Sequence, residues 1–307
     1  VGGGTLMMRD FMFPTASFLQ NYMAVTVYVP TDGRVPLVSS MAPGFVGSIF
    51  AMNANGVSMA VDVLRGSNAN ATVPGVGSLM MNRMVTDTAT DLEHGIDLVA
   101  GATRGAVWIY PMCDASGCVV IEAGASEPTS ELPNPLLKVK NEKVLALLPT
   151  IEQLRAEGQG VGMRYDRGIF VRPMDYKYPD ALLNFNDALF AHANVAVNNS
   201  AWTNATGFTF ETFAEEEKEN LSLLNYYFTP QRETLDDMIV ISNSAVLPFS
   251  RIFQMGEFAT FMTVPVNDAI QWRYERLNEL VQANWGSIDV ARAKDIINFL
   301  TPEPTAR

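Results

Sequence analysis

Charge is what this sequence has least of. Charged residues make up 18% of its 307 positions, against about 25% in an average soluble domain. Basic residues are scarcer still: 21 Lys and Arg stand against 33 Asp and Glu, for a net charge of −12. That balance excludes the basic footprint that nucleic-acid phosphates require and disfavours an anionic membrane surface. Cysteine and histidine occur twice each, too few for a disulfide framework or a histidine-rich metal site. No apolar run reaches the length of a bilayer span, so no membrane span is expected. The usual catalytic signatures are also missing, with no G-x-S-x-G, H-E-x-x-H, P-loop or G-x-G-x-x-G after a strand. No cofactor and no metal are therefore expected.

What is present suffices for a core. Hydrophobic residues reach 48%, including 16 Met and 17 Phe, so the chain is not disordered. Strands are expected at Thr5–Phe13, Ala24–Tyr28, Pro36–Ser39, Gly47–Met52 and Val57–Leu64, separated by Gly-, Pro- and Asn-rich breaks. A helical stretch over 78–101, with Thr90 as an internal N-cap, precedes a hairpin of Ala106–Pro111 and Cys118–Glu122. Short helices are expected at 148–157 and 180–191, and the acidic run Glu215-Glu216-Glu217 reads as a solvated face. Met238–Ser242 reads as a buried strand, Asp268–Gln282 as a helix, and Ile288–Leu300 as a second helix capped by Ser287. Strands in runs followed by helices in runs indicate a layered α+β fold. No internal repeat or linker divides the chain, so residues 1–307 are expected to form a single domain.

Scarce charges make the misplaced ones informative, because a buried charge needs a partner. Arg9 and Asp10 interrupt the otherwise apolar Thr5–Phe13 and, as neighbours on a strand, point to opposite faces. Asp62 shares one face of its strand with Ser58 and Ala60, a pattern that fits either a cavity wall or a solvent-facing edge. Asn243 closes the run Met238–Ser242. Arg273 falls on the apolar stripe formed by Ile270, Tyr274, Leu277 and Val281, as a ligand-facing or a snorkelling arginine. Cys113 and Cys118 flank an Asp/Ser/Gly turn and read equally as a disulfide or as two free thiols. Sequons stand at Asn70, Asn198, Asn204 and Asn220, which would suit a secreted or lysosome-like lumen. His94 and His192 have no evident metal partners, and Gly158–Gly162 reads as a flexible loop.

These residues follow a known pattern. Gly4–Pro14 resembles the strand that follows the nucleophile in the acyl-CoA:6-aminopenicillanate acyltransferase family (peptidase family C45), which is related to the choloylglycine hydrolases and, more remotely, to the phospholipase B-like proteins. Gly47–Val57 resembles its G-x-N-x-x-G-V hairpin, Ile241–Pro248 its T-N-H-x-x-x-P element, and Gln271–Leu277 its S-x-R-x-x-x-L helix. The matches keep their order over about residues 4–300. The resemblance implies an N-terminal-nucleophile hydrolase with a four-layer αββα sandwich, acting on a small acylated substrate. A precursor of such an enzyme cuts itself before a Cys, whose freed α-amine serves as the base. The family's arginines fall on Arg9 and Arg273, and its oxyanion-hole asparagines on Asp62 and Asn243.

Three departures accompany the resemblance. The nucleophile is expected on a strand preceding Thr5, outside the given residues. Asp62 stands where relatives carry Asn, and Asp10, Met12 and Ser244 where relatives more often carry Asn, Asp and His. The expectations are an active amide hydrolase or acyltransferase, whose partners would be the N-terminal fragment of its own precursor or further copies of itself, or an inactive structural or binding member of the same fold. An unrelated α+β protein is the third alternative.

Overall fold

The computed structural model describes residues 4–9, 19–64, 69–127, 164–176, 237–243 and 276–300. Among the described residues, nine strands form one antiparallel sheet. They are β1 (Ala24–Tyr28), β2 (Leu37–Met41), β3 (Phe50–Asn53), β4 (Ser58–Ala60), β5 (Asp62–Val63), β6 (Trp108–Cys113), β7 (Cys118–Ala123), β8 (Arg164–Asp166) and β9 (Ile169–Pro173). The order is β1-β2-β3-β4-β6-β7-β9-β8, with β5 also on β6. Three helices complete the labelled elements: α1 (Ser78–Thr88), α2 (Leu92–Gly101) and α3 (Val290–Leu300). Residues 276–283 are also helical. The protein is thus α+β, built on antiparallel pairing. None of the helices among the described residues is long and apolar enough to cross a membrane.

β4 and β5 are one strand read in two pieces. Met59 pairs with Met112 and Asp62 with Ile109 in the same register along β6. That register sets Pro111 opposite Ala60, and proline has no N–H to give the ladder. The pairing with β6 lapses there, while on the other side Val61 N–H continues the register with β3 by donating to the carbonyl of Ile49 at 3.2 Å.

Alternation along these strands separates two faces. Val57, Met59, Val61, Met112, Ile121 and Val171 pack under Met81 and Val85 of α1 and Ile96 and Val99 of α2, which is the main core. α1 buries Met81, Asn82, Val85 and Thr86 on one side, the spacing of a helical stripe. The opposite face carries Leu64, Ile109 and Val120, against which Ile239 and Ile241 pack.

The turn Asn53–Val57 is a clamp. Asn53 Oδ1 accepts from the N–H groups of Asn55 and Val57, while its Nδ2 donates to the carbonyls of Thr86 and Ala89 at 3.1 and 2.8 Å. Gly56 closes the turn at φ +87°, a conformation glycine adopts without strain. The same clamp breaks the expected 78–101 helix. Ala89 is extended, its carbonyl taken by Asn53 and Asn55. α2 then restarts with Asp91, not Thr90, as the N-cap that accepts from His94 N–H.

Other expectations shift similarly. Thr5–Arg9 has no ladder pairing, and within Met238–Ser242 only Ser242 makes a bridge. α3 is capped by Asp289, whose carboxylate accepts from Arg292 N–H at 2.8 Å, whereas Ser287 bonds back to Asn284. The helices expected at 148–157 and 180–191, the stretches Gly158–Gly162 and Glu215–Glu217, and His192 lie outside the described residues.

Candidate active site

Arg9 and Asp62, each expected to need its own partner, meet each other. Arg9 Nη2 lies 3.1 Å from Asp62 Oδ1, and its Nη1 donates to the carbonyl of Ile49 at 3.0 Å. The side chains are 12% and 15% exposed, so the pair is largely withdrawn from water and its attraction is little screened. The position follows from the sheet. Asp62 pairs with Ile109 in the ladder, its side chain leaving the face away from α1 and α2. Ile49 O also accepts Nδ2 of the fully buried Asn82, at 3.1 Å. Arg9 is therefore tied through one carbonyl to the helix beneath the sheet.

Asn243 joins from the far part of the chain. Its Nδ2 donates to the carbonyl of Val63 at 3.2 Å, beside Asp62. Three of the five expected catalytic residues, separated by up to 234 positions, thus converge on β5. Asp10 and Arg273 lie outside the described residues.

The convergence forms one end of a cleft of about 540 Å³. Its walls are the segment Gly4–Arg9, the residues Ala60, Asp62, Pro111 and Val120 of the sheet, the segment 237–243, and Leu277, Val281 and Trp285 with residues of α3. Leu277 and Val281 confirm half of the stripe expected of their helix.

The β6–β7 turn makes the other end. Cys113 and Cys118 are ladder partners joined by a disulfide, which resolves the open choice and leaves neither cysteine free. Ser58 Oγ donates to Cys113 O at 3.2 Å and lies 3.4 Å from Met7 Sδ. Beyond the disulfide, Asp114 accepts from Leu92 N–H, the first of α2, at 2.8 Å. Partial desolvation pushes the Asp114 carboxyl up, but hydrogen bonds from Ser116, Leu92 and Gly117 outweigh it and hold the group below the usual carboxylate range. Asp91 at the same helix end is held low mainly by His94 N–H. Both carboxylates favour the positive end of the helix dipole.

No known family model matches the chain. It is 26% identical over 300 residues to an uncharacterized protein of Archaeoglobus fulgidus, covering 98% of this chain. The chain spans only 35% of that protein's length. Among solved structures, it is similar to a penicillin V acylase from Agrobacterium tumefaciens, with a TM-score of 0.25, 15% identity, and coverage of 61% of this chain and 56% of that one. It is also similar to a variant of the conjugated bile acid hydrolase from Clostridium perfringens, with a TM-score of 0.37, 9% identity, and coverage of 91% and 71%. Likeness of this degree does not assign a family.

Two residues escaped the sequence reading. Arg104 is 2% exposed and donates to the carbonyls of Val99, Ala100, Ala102, Gly124 and Arg167. It closes the C-terminal end of α2, where the last turn holds no basic residue. Arg172, 1% exposed, donates to Val240 O at 3.1 Å and fixes segment 237–243 to the sheet. Low charge density was the available signal for both. Asn70, the first of the expected sequons, is engaged within the fold. Its side chain is buried, donating to Glu127 O and accepting from Thr72 N–H and Oγ. An amide so engaged offers no exposed acceptor nitrogen. Asn198, Asn204 and Asn220 lie outside the described residues.

Proposed function

We propose that this chain is the main part of an N-terminal-nucleophile amide hydrolase or acyltransferase of the C45 type, a single αββα domain over residues 1–307 whose nucleophilic Cys precedes them. The observation that carries the reading is the Arg9–Asp62 pair, withdrawn from water at the end of a cleft, with Asn243 beside it. Both cysteines of the chain are consumed by the disulfide, so the thiol must come from elsewhere.

In this mechanism the α-amine of the N-terminal Cys takes the thiol proton. The thiolate attacks the amide carbon and the carbonyl oxygen becomes an oxyanion. Asn243 donates to that oxyanion, and Arg9, fixed by Asp62 and Ile49 O, orients the reacting groups. Collapse expels the amine with the proton and leaves a thioester. Water then releases the acid, or a second amine takes the acyl group. Asp10 and Arg273 complete the set by sequence pattern, Arg273 anchoring the acidic side.

N-terminal sequencing and intact mass of the native full-length protein test this reading. A chain beginning with Cys shortly before Val1, with a companion peptide, is expected. A precursor with no Cys, Ser or Thr shortly upstream overturns it. A second reading, a non-catalytic binding or structural member of the same fold, is favoured by Asp62 itself. An ionised carboxylate that accepts from Arg9 donates nothing to an oxyanion.

A further inference from the structure

The first four strands of the sheet are almost free of charge. Between residues 11 and 61 the charged side chains are Asp32 and Arg34 alone, and they pair with each other at 2.9 Å. The −12 of the chain therefore arises from residues 62–307. β1 lies at the edge of the sheet, and among the described residues no strand covers its outer side. Edge strands usually carry lysine, proline or a bulge, which deter pairing with another chain. β1 has none of these. It reads Ala-Val-Thr-Val-Tyr and keeps an unbroken register with β2 from Ala24 to Tyr28.

The edge is firmly held. Tyr28, on the half-buried face, stacks under the Arg83 guanidinium of α1 at 3.7 Å, and Arg83 is itself held by Asp87 at 2.9 Å. On the other face Val25 and Val27 are 72% and 66% exposed. The ladder sets Val27 beside Val38 and Val38 beside Met52, both of them exposed as well. These side chains form a continuous apolar patch that runs to the edge, the mark of an interaction surface.

A second copy of the chain fits this surface. Two molecules of charge −12 repel each other wherever their charges face, and the uncharged edge lets them meet without that cost. The strand is also complementary to itself. Laid antiparallel on its own copy about Thr26, it sets Val25 opposite the partner's Val27 and Val27 opposite the partner's Val25. Cross-strand pairs of β-branched residues stabilise a ladder, and the apolar patch then continues from one sheet into the next.

We propose that β1 is a homodimer interface: two copies pair β1 with β1 antiparallel across a two-fold axis at Thr26 and join their sheets edge to edge. The interface is independent of the amide-hydrolase reading.

Sedimentation velocity of the full-length protein at micromolar concentration should show twice the subunit mass. Val25→Lys combined with Val27→Lys sets like charges opposite each other and should raise the dimer dissociation constant by about tenfold or more. The far-ultraviolet circular dichroism should stay unchanged, because both side chains stand in solvent within one copy. Met52→Lys, on the same face but two strands in from the edge, should leave the dimer intact, which separates edge pairing from stacking of the two faces. Thr26→Cys should oxidise to a covalent dimer, since only residue 26 stands opposite itself and directly opposed strand residues lie within disulfide reach. Val38→Cys, treated alike, should not. A monomeric wild type, whether its edge stays open or is covered by the rest of the polypeptide, overturns the proposal. So does a dimer that survives both lysines, a dimer that Met52→Lys dissolves, or a Thr26→Cys protein that forms no cross-link.

Discussion

The Arg9 guanidinium and the Asp62 carboxylate meet at 3.1 Å across 53 positions of sequence, and each answers the burial problem of the other. Replacing one partner leaves the other charged and largely withdrawn from water. Arg9→Met and Asp62→Asn should each destabilise the fold by about 1–3 kcal/mol, while the double variant should cost less than their sum. Urea unfolding of the four proteins gives the coupling energy. Strict additivity would show that the pair contributes nothing to the fold.

The Asn53 clamp makes a second expectation. Asn53→Ala removes the two hydrogen bonds that Nδ2 donates to the carbonyls at the end of α1 and the two that Oδ1 accepts from the β3–β4 turn. A loss of about 2–4 kcal/mol is expected. Asn53→Asp, which keeps the turn contacts but sets a carboxylate against the Thr86 and Ala89 carbonyls, should be no better. Denaturant midpoints at constant m-value check both.

Asp114 makes stability pH-dependent. Its folded pKa lies below the ordinary carboxylate value, so its contribution is present above that range and is lost as pH falls through the folded value. Solvent screening limits it to no more than about 1 kcal/mol. The difference in unfolding midpoint between wild type and Asp114→Asn should therefore be largest near neutral pH and shrink below about pH 4. A difference that stays constant to pH 2 would contradict the cap on Leu92 N–H.

The disulfide closes a loop with a sequence separation of only 5. Loop-closure entropy limits its contribution to about 2 kcal/mol, and the β6–β7 ladder holds the hairpin without it. Cys113→Ser with Cys118→Ser should lower the melting temperature by several degrees and leave the far-ultraviolet circular dichroism unchanged.

Much of this was legible because charge is scarce. Arg9 and Asp62 stood out in apolar surroundings, Asn243 entered through the family resemblance, and the structure draws the three to one strand. Their mutual pairing was not legible, since period-two alternation tells which face a residue takes but not which distant segment covers it. The break at Ala89 was hidden because Asn53, far off in sequence, supplies the amide that ends the helix. Thr90 and Ser287 lost their capping roles to Asp91 and Asp289, which stand one and two residues further on. Arg104 was passed over for a different reason: its partners are backbone carbonyls, which leave no trace in side-chain patterns. Cys113 and Cys118 could be bonded or free until the register made them ladder neighbours.

The central claim is that the cleft holding Arg9 hydrolyses or transfers acyl groups of amides. Amine release from N-acyl amides by the full-length protein, compared between wild type and Arg9→Ala, tests it most directly. The account predicts turnover in the wild type and a fall in kcat/KM of about a hundredfold or more in the variant. A wild type that releases no amine, or an Arg9→Ala variant that releases it at the same rate, would contradict it.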